Sequence, residues 1–465
     1  MPLRRHDRSD LYAPDVLVIG GGNAALCAAL AAADRGARVL LLEKTSAEWR
    51  GGNSKYTRNI RLAGPAYPEA EFMADLVQVT GEEIDRELAS LVIQQSRGVS
   101  QWMEAHGARW QAPFRGTLQL ARTNRFFLGG GKALLNAYYD RAVRAGVQVR
   151  YEADVASLGL ANGRFASAIV DLPEGRREVS AQAVVVASGG FESNLEWLRR
   201  YWGDAVDNYL IRGTSANDGR LLAELLDAGA LERGTPRGFH AVACDARSPR
   251  YEGGIVTRID SLPFGIAVNR IGRRFADEGQ DLWPKRYAAW GGLIALQPDQ
   301  LAFSVFDSQV RGRFIPPLFP PYEAATIEGL AAQMTVDPAA LAATVDDFNR
   351  AVDRSVPYDA SRLDGRGTHG LGPPKSNWAQ PIDNPPFFAY PMRPGITFTY
   401  LAVGVDRTAR VLDQSGRPFE NVFAAGEVMA GNILLNGYLG GVGLTIGTVF
   451  GRIAGQEAAA HARAG

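Results

Sequence analysis

Residues 15–43 have the sequence DVLVIGGGNAALCAALAAADRGARVLLLE and predict a βαβ unit. The apolar run DVLVIG predicts a buried strand, the alanine-rich segment from Asn23 to Arg35 a helix, and RVLLLE a second strand. The turn between strand and helix has the pattern GxGxxA. Gly20 permits the tight turn, Gly22 lets the backbone approach a pyrophosphate, and Ala25 permits close packing of helix on strand. The stretch therefore predicts a dinucleotide site.

The residues around this turn supply further contacts of such a site. The helix N-terminus at Asn23 and Ala24 offers N–H groups to phosphate. Glu43 ends the second strand, where a carboxylate accepts from the ribose hydroxyls of adenosine, and Lys44 follows it. The strand VVVASGGF at 184–191 runs into glycines without a second phosphate pattern, and the chain has no redox cysteine pair. A single dinucleotide fingerprint, in a nucleotide-binding domain whose sequence is split by other segments, indicates FAD rather than NAD.

The composition excludes several classes of protein. The 465 residues include 50 basic and 50 acidic side chains, and this neutrality argues against nucleic acid or an anionic membrane as a partner. Two cysteines, Cys27 and Cys244, exclude a disulfide framework, and five histidines without ligand spacing predict no metal site. Such cysteine usage indicates a reducing compartment, so we expect a cytoplasmic protein.

Changes in composition and in the pattern of helices and strands along the chain predict its domains. An N-terminal extension at 1–14 precedes the first part of an FAD-binding domain at 15–235, with helices near 82–106 and 129–146. From 236 to 378 prolines and aromatic residues become frequent and one helix, at 337–353, stands alone, so we predict an inserted capping domain. A strand near 396–403 begins the second part of the FAD-binding domain, at 379–465. The fold class is therefore α/β: a split Rossmann-like FAD-binding domain, similar to glutathione reductase, with an α+β cap.

Longer motifs carry a resemblance to a known family. The segments DVLVIGGGNAALCAAL, WRGGNSKYTRN, VVVASGGFESN and NVFAAGEVMAGN, with GYLGGVGLTIGTVFGRIAG, resemble the succinate dehydrogenase/fumarate reductase flavoproteins over about residues 15–460. More narrowly, GGNSKYTRN, ARTNRFFLGGGKAL, GRRFADEGQDLWPKRYA, PPKSNWAQPID and RPGITFTYLAV are similar to FAD-dependent tricarballylate dehydrogenases.

The resemblance implies where the flavin binds. Gly51 to Ser54 would line the isoalloxazine ring, and Asn53 stands where covalent-flavin members carry histidine, which implies a non-covalent flavin. Glu427 would contact the ribitol, and the GGVG turn at 440–443 the pyrimidine edge of the flavin. In addition to the residues named above, the predicted cofactor site contains Gly51, Gly52, Asn53, Ser54, Val155, Ala187, Ser188, Gly189, Gly190, Gly426, Glu427, Gly441 and Gly443.

A succinate-type dehydrogenation passes a hydride to flavin N5 from one carbon and a proton from its neighbour to a base. Arginine suits the substrate carboxylates because its fork matches them bidentately. Arg58 follows the flavin-proximal turn, and Arg258 follows Thr257, which matches a substrate-binding threonine of fumarate reductases. Phe398 falls where the family has a histidine before its last strand. These four residues are the predicted substrate contacts.

The acid/base residue is harder to predict because the chain departs from the family pattern. The family's proton-donating arginine corresponds by count to Leu282, with Lys285 and Arg286 just beyond. Tyr438 replaces the arginine that clamps the substrate, and a tyrosine there can act as acid or base. His240 lies upstream of Thr257, as a family substrate histidine does. We predict Arg286, Lys285, Tyr438 and His240 as catalytic candidates.

Three hypotheses follow for the function. The first is oxidation of tricarballylate to cis-aconitate, with a separate membrane-bound electron-transfer protein that reoxidises the flavin at the inner membrane. The second is a 3-ketosteroid-type dehydrogenase, or a fumarate-reductase-like enzyme acting on another dicarboxylate. The number of arginines argues against a steroid, because a steroid pocket is apolar. The third, a non-catalytic flavin-binding subunit, has no supporting heme or iron–sulfur motif.

Overall fold

The computed structural model describes residues 14–112 and 120–464. The strands of these residues, β1 to β19 in chain order, are Val16–Ile19, Val39–Leu42, Asn59–Arg61, Asn124–Phe126, Gln148–Arg150, Asp154–Ala161, Arg164–Leu172, Gly175–Ser180, Ala183–Val186, Leu210–Ile211, Glu232–Arg233, Phe239–Asp245, Ile266–Asn269, Ala302–Asp307, Tyr322–Ala324, Phe387–Thr399, Ala402–Val403, Arg410–Leu412 and Pro418–Ala424.

The helices of the same residues, α1 to α13, are Asn23–Ala33, Glu69–Thr80, Arg86–Ala105, Leu120–Thr123, Gly130–Arg144, Leu195–Trp202, Arg220–Asp227, Trp283–Arg286, Trp290–Ala295, Ile327–Met334, Pro338–Ala351, Glu427–Ala430 and Val442–Ala464. None of the helices in the described ranges is long and apolar enough to cross a membrane. The predicted extension at 1–14 lies outside the described residues, apart from residue 14.

The first sheet has the order β18-β19-β9-β1-β2-β5. Strand β1 lies at its centre and pairs in parallel with β2 and β9, so that Val16 is opposite both Val39 and Ala183. Every side chain of these three strands is buried. Apolar residues at consecutive positions suit a parallel sheet because both of its faces are covered. The predicted βαβ unit and the α/β fold class are confirmed.

This sheet brings the predicted flavin motifs together. The parallel strands β1, β2, β9 and β19 end at Ile19, Leu42, Val186 and Ala424, and their carboxyl ends lie at one edge. The turns that follow contain Gly20, Glu43, Ala187 and Gly426. In open α/β sheets ligands bind at the carboxyl edge, at the point where the strand order reverses. Motifs far apart in the sequence therefore meet at one site.

The second sheet has the order β10-β16-β14-β13, with β12 and β15 also paired to β16. Strand β16 is its longest element and starts at Phe387, earlier than the strand predicted near 396–403. Its antiparallel partners β12 and β14 lie within 236–378, the range predicted as the cap. Thus β16 joins the cap sheet to the strand ends near the flavin motifs, and the domain boundary at 378 stays a prediction.

One sequence-based prediction of secondary structure is wrong. The helix expected to stand alone at 337–353 is α11, and α10 precedes it. Leu330 of α10 and Leu341 and Phe348 of α11 are buried in one core cluster. Helix α10 has only eight residues, and its start is stabilised by the hydroxyl of Thr326, which accepts from the N–H of Gly329 at 3.0 Å. So short a helix has a weak periodic signal.

Candidate active site

A cavity of about 1560 Å³, including its open mouth, lies at the carboxyl edge of the first sheet. Residues from the second sheet close its other side. Most of the predicted cofactor residues line it: Gly20, Gly22, Asn23, Ala24, Glu43, Lys44, Gly52, Asn53, Ser54, Val155, Ala187, Ser188, Gly189, Gly426, Glu427, Gly441 and Gly443. Three others, Ala25, Gly51 and Gly190, lie behind this lining rather than on it.

The glycine turn packs too closely against the next strand end to carry a side chain. Gly20 has φ +120°, and a Cβ there would lie 2.3 Å from the carbonyl oxygen of Ala187. Helix α1 begins at Asn23, whose N–H donates to the Ser54 hydroxyl at 3.0 Å, and Asn23 and Ala24 at the positive end of the helix line the cavity. Behind the lining, a Cβ at Gly190 would lie 2.2 Å from a carboxylate oxygen of Glu427. The turn therefore presents backbone rather than side chains to a ligand.

Glu43 is held at the end of β2 by several donors. One carboxylate oxygen accepts from the N–H of Thr45 at 2.8 Å, and the other accepts from the N–H of Gly51 at 3.1 Å. Gly51 does not itself line the cavity, but its N–H holds the carboxylate of Glu43, which does. Lys44 beside it forms an ion pair with Asp218 at 2.7 Å. The carboxylate of Glu43 is fixed in the cavity wall.

Asn53 ties the flavin-proximal turn to β16. Its amide nitrogen donates to the carbonyl oxygen of Thr397 at 2.8 Å and to Glu192, and its amide oxygen accepts from the N–H of Thr214 at 2.8 Å. Burial raises the pKa of Glu192, and burial together with the nearby Glu192 raises the pKa of Glu427. Two buried carboxyl groups therefore lie together behind Asn53. The sequence analysis missed Glu192.

Two of the predicted substrate residues, Arg58 and Arg258, share one carboxylate. Asp260 lies 2.8 Å from Arg258 and 3.4 Å from Arg58. Burial and the charge of Arg258 lower the pKa of Arg58 to about 10. Burial raises and the Arg258 guanidinium lowers the pKa of Asp260, and the net shift is downward. Both arginines line the cavity, and one negative charge balances them only in part.

Arg212 is a third arginine in the wall of the cavity that contains Arg58 and Arg258, and the sequence analysis missed it. It follows the short strand β10, and its exposed fraction is only 6%. Its Nη2 donates to the Thr397 hydroxyl at 2.9 Å, whereas Nε and Nη1 have no partner within the described chain. The stretch YLIR, in which an arginine ends an apolar strand, is the signal that could have identified it.

Aromatic rings and a histidine form the rest of this wall. The rings of His240 and Tyr438 stack with centroids 3.9 Å apart, and Phe398 lies 5.8 Å from Tyr438. Burial, with Arg212 and Arg258 nearby, lowers the pKa of His240 well below its usual value, so the imidazole is neutral. Burial raises the pKa of Tyr438, whose hydroxyl accepts from the N–H of Gly443 at 2.9 Å.

Three predicted residues do not line the cavity. The Thr257 hydroxyl donates to the carbonyl oxygen of Gly254 at 2.8 Å within its own turn. Lys285 forms an ion pair with Asp75 at 2.9 Å, on the side of α8 toward α2. Arg286 is outside the lining as well, and burial lowers its pKa. The structure thus brings together Arg58, Arg258, Phe398, Tyr438 and His240, and adds Arg212 and Tyr287 to them.

The cavity fits FAD by the chemistry of its lining. The backbone cradle at Gly20 and the helix N-terminus suit a pyrophosphate, and Glu43 suits a ribose. No group of metal-ligating side chains occurs among residues 14–112 and 120–464.

Comparison with known proteins agrees with this assignment. A family model described as FAD binding domain matches residues 15–444. A probable fumarate reductase of Shewanella frigidimarina is 30% identical, over 96% of this chain and 75% of that protein.

Two solved structures are similar over nearly the whole chain. The open conformation of a flavocytochrome c3 fumarate reductase has a TM-score of 0.77 and 26% identity, and the match covers 97% of this chain and 79% of that one. A 3-ketosteroid-Δ4-(5α)-dehydrogenase from Rhodococcus jostii, in complex with 4-androstene-3,17-dione, has a TM-score of 0.73. At 22% identity, over 97% of this chain and 98% of that one, this second likeness shows the fold alone.

Proposed function

The chain belongs to the FAD-binding family of the succinate dehydrogenase/fumarate reductase flavoproteins, and from this premise we propose that it oxidises tricarballylate to cis-aconitate. It is an FAD-dependent oxidoreductase that acts on carbon–carbon bonds. The observation that carries the finer proposal is the wall of Arg58, Arg212 and Arg258, which faces the cavity with Asp260 as its one paired carboxylate. Such a wall favours a substrate with several carboxylates.

The cofactor residues have separate tasks in this proposal. Backbone at Gly20 and Gly22 would hold the pyrophosphate, Glu43 the adenosine ribose, and Glu427 the ribitol. The turn containing Asn53 would contact the isoalloxazine, and because the Asn53 amide is not a nucleophile that could bond the ring, the proposed flavin is non-covalent. When bound, FAD supplies the acceptor for the hydride that leaves the substrate.

The reaction breaks two carbon–hydrogen bonds and forms one carbon–carbon double bond. The hydride leaves from one carbon with its electron pair, and the neighbouring carbon loses a proton to the protein. Arginines that hold the carboxylate next to this carbon stabilise the negative charge that develops on it. The residues around the cavity must therefore provide both an anion site and a proton acceptor.

We assign the proton acceptor to His240. Its Nδ1 lies 3.1 Å from the Thr397 hydroxyl, and its Nε2 has no partner in the described part of the protein. With Nδ1–H donating to Thr397, Nε2 keeps a free lone pair. Tyr438 is less suited because its oxygen already accepts from Gly443 and its pKa is raised. Burial is the main cause of the lowered pKa of His240, and carboxylates bound at Arg212 and Arg258 would neutralise the positive charges that lower it further.

The second candidate is a 3-ketosteroid-type dehydrogenase. The specific observation for it is the aromatic part of the wall, where Tyr287, Phe398 and Tyr438 surround His240. The same wall contains Arg212, whose free donors an apolar steroid would leave without a partner at a desolvation cost. It also contains Arg58 and Arg258, which share a single carboxylate. The dicarboxylate substrate of a fumarate-reductase-like enzyme would supply further partners for these arginines.

The electrons then leave to a separate protein, which we propose is bound to the membrane while this chain stays cytoplasmic. The proposal rests on the family resemblance, in which a partner reoxidises the flavin. Mixing the reduced flavoprotein anaerobically with quinone-containing membranes tests it. Reoxidation that requires the membranes supports the partner, and rapid reoxidation by quinone alone contradicts it.

The substrate is tested by anaerobic reduction of the flavin. We expect tricarballylate to bleach the flavin absorbance of the purified holoenzyme rapidly, succinate more slowly, and 4-androstene-3,17-dione not at all. Bleaching by the steroid alone would contradict the proposal and favour the second candidate. Bleaching by succinate but not by tricarballylate would favour a dicarboxylate substrate.

A further inference from the structure

The wall of the cavity contains a buried arginine, Arg212, that forms no ion pair with the residues that the structure describes. Lys44 and Arg220 pair with aspartates at the adenosine end, and Arg58 and Arg258 pair with Asp260. Arg212 is the remaining lysine or arginine of the lining, and no carboxylate of the described chain lies within ion-pair distance of it.

The backbone fixes Arg212 on both sides. Its N–H donates to the carbonyl oxygen of Ile396 in β16 at 2.8 Å, and its carbonyl oxygen accepts from the N–H of Gly254 at 2.8 Å. The side chain is held as well, because Nη2 donates to the Thr397 hydroxyl. A guanidinium held in this way cannot turn out to solvent without breaking contacts to β16.

Arg212 lines the cavity and keeps donors without a partner. Its Nε and Nη1 and the Nε2 of His240 are all buried without a partner in the residues that the structure describes. A buried cation with free N–H groups requires an anion, since burial disfavours its charge. Burial and the nearby Arg258 also lower the pKa of Arg212. A ligand carboxylate would satisfy this group.

We propose that Arg212 and Thr397 form a carboxylate-anchoring subsite, distinct from the Arg58–Arg258–Asp260 cluster, that makes the enzyme selective for substrates with at least two carboxylates. The inference rests on the proposed function and adds to it the residue that sets the substrate class. One carboxylate binds at the Arg58–Arg258 cluster, next to the reacting carbons, and a second binds Arg212. A substrate with a single carboxylate leaves one of the two sites unpaired.

The test measures binding and flavin reduction separately in Arg212→Gln, Arg212→Lys and the wild-type holoenzyme. Dissociation constants come from the change in flavin absorbance or from calorimetry with the oxidised enzyme, for tricarballylate and for propionate. Rate constants come from anaerobic stopped flow. Arg122→Gln is the matched control, because Arg122 pairs with Glu71 at an exposed position outside the cavity.

We expect Arg212→Gln to weaken tricarballylate binding about 100-fold, with propionate binding changed less than about 3-fold. The rate constant of flavin reduction at saturating tricarballylate should fall less than about 5-fold, and Arg212→Lys should recover part of the affinity. Flavin content and thermal unfolding confirm that the variants are folded. The control should match the wild type.

Several results would overturn the inference. An unchanged tricarballylate dissociation constant in Arg212→Gln would do so, as would equal losses for tricarballylate and propionate. A large loss of the rate constant at unchanged affinity would place Arg212 in the chemistry instead. Wild-type enzyme that binds tricarballylate through Arg212 without being reduced would contradict the proposed function and leave the subsite intact. Wild-type enzyme that binds no carboxylate would contradict both.

Discussion

At the scale of single residues, buried acidic and basic side chains lie at the cavity. Glu192, which Asn53 contacts, and Glu427 form an acidic pair, and burial raises the pKa of both. Arg58 and Arg258 share Asp260. Buried charges are stable only where partners or protonation compensate them. Each pair therefore gives a prediction of its own.

Replacing Glu192 by glutamine should stabilise the protein increasingly as the pH rises. A raised pKa in the folded state means that the folded protein binds more protons than the unfolded chain above about pH 4.3, so the free energy of unfolding falls with pH. Glutamine keeps an oxygen for Asn53 and Asn217 and cannot ionise. As the pH rises from 5.5 to 8, the melting temperature of Glu192→Gln should increase by roughly 1–3 °C relative to that of the wild type.

Differential scanning fluorimetry across this pH range measures the gain. Glu178→Gln, at an exposed position on β8, is the matched control and should follow the wild type. A difference between Glu192→Gln and wild type that stays constant with pH would show that Glu192 ionises in the folded protein as it does in the unfolded chain.

Asp260→Asn should destabilise the protein, and a polycarboxylate should restore part of the loss. The change removes the shared charge from Arg58 and Arg258, and breaking a buried ion pair costs about 3–5 kcal/mol. Urea unfolding measures it with and without tricarballylate. Asp171→Asn, whose partner Arg176 is exposed, should be far less destabilising. A similar small loss for Asp260→Asn would contradict the assigned role of this carboxylate.

The residues that sequence analysis identified are those with a local signal. Gly20, Gly22 and Glu43 belong to one continuous βαβ segment, so their spacing predicted their place in the cavity. Arg212 and Glu192 depend on β16 and on Asn53, which lie far away in the sequence, and no local pattern reveals such partners. The roles predicted for Gly20, Gly22 and Glu43 in cofactor binding stay predictions.

Counting from the family pattern leads to Leu282, and Lys285 and Arg286 were predicted because they lie just beyond it. In the structure Lys285 belongs to the short helix α8 and pairs with Asp75 on α2. A count along the sequence gives position in the chain but not the direction of a side chain on a helical turn. Lys285 and Arg286 do not line the cavity, which gives no support to a catalytic role for them. That role stays a prediction.

At the scale of elements, α1 and α13 pack so closely that glycine is required between them. A Cβ at Gly455 would lie 2.1 Å from the carbonyl oxygen of Ala28, and one at Gly451 would lie 2.5 Å from that of Ala24. Helix α1 also provides the N-terminus that faces the cavity. The contact therefore links the C-terminal helix to the position of the phosphate cradle.

Gly455→Ala should separate the two helices and destabilise the protein by about 1–3 kcal/mol, as overpacking does. The matched control is Gly98→Ala on α3, where nothing lies within 4 Å of the added Cβ. This control should stabilise the protein by up to about 1 kcal/mol because alanine favours helix. Chemical unfolding of both variants measures the difference. Equal effects of the two substitutions would contradict the close packing.

Strand β16 shows why the second sheet was predicted only in part. Its sequence FFAYPMRPGITFT contains two prolines, which normally argue against a central strand. Only the stretch after the second proline, from 395 onward, has the apolar pattern that predicted a strand near 396–403. In the folded protein β14 and β15 pair with its earlier half and β12 pairs with residues 392–399, and such long-range pairing is not visible in the local sequence.

At the scale of the whole molecule, the cavity lies between the carboxyl edge of the first sheet and residues carried by the second. Val186 and Ala424 end strands of the first sheet, whereas His240 and Thr397 belong to strands of the second. Any ligand that fills the cavity contacts both sheets at once. Bound flavin should therefore stabilise the entire fold rather than one part of it.

Denaturation should release the flavin, and added FAD should raise the melting temperature of flavin-depleted protein. Binding to the folded state alone stabilises it by about 2.7 kcal/mol at a ligand concentration 100 times the dissociation constant. Acid precipitation followed by absorbance of the supernatant tests the non-covalent attachment that Asn53 implies. Flavin that stays with the precipitated protein would contradict it, and AMP serves as a control that should stabilise less.

The central claim is that this cavity oxidises a polycarboxylate at the flavin, and a single-turnover product analysis tests it most directly. Oxidised holoenzyme is mixed anaerobically with a limiting amount of tricarballylate, the fraction of reduced flavin is read from its absorbance, and the organic acids are separated and quantified. We predict one molecule of cis-aconitate for each flavin reduced. Unchanged tricarballylate with fully oxidised flavin would contradict the account, and so would reduced flavin without an unsaturated product.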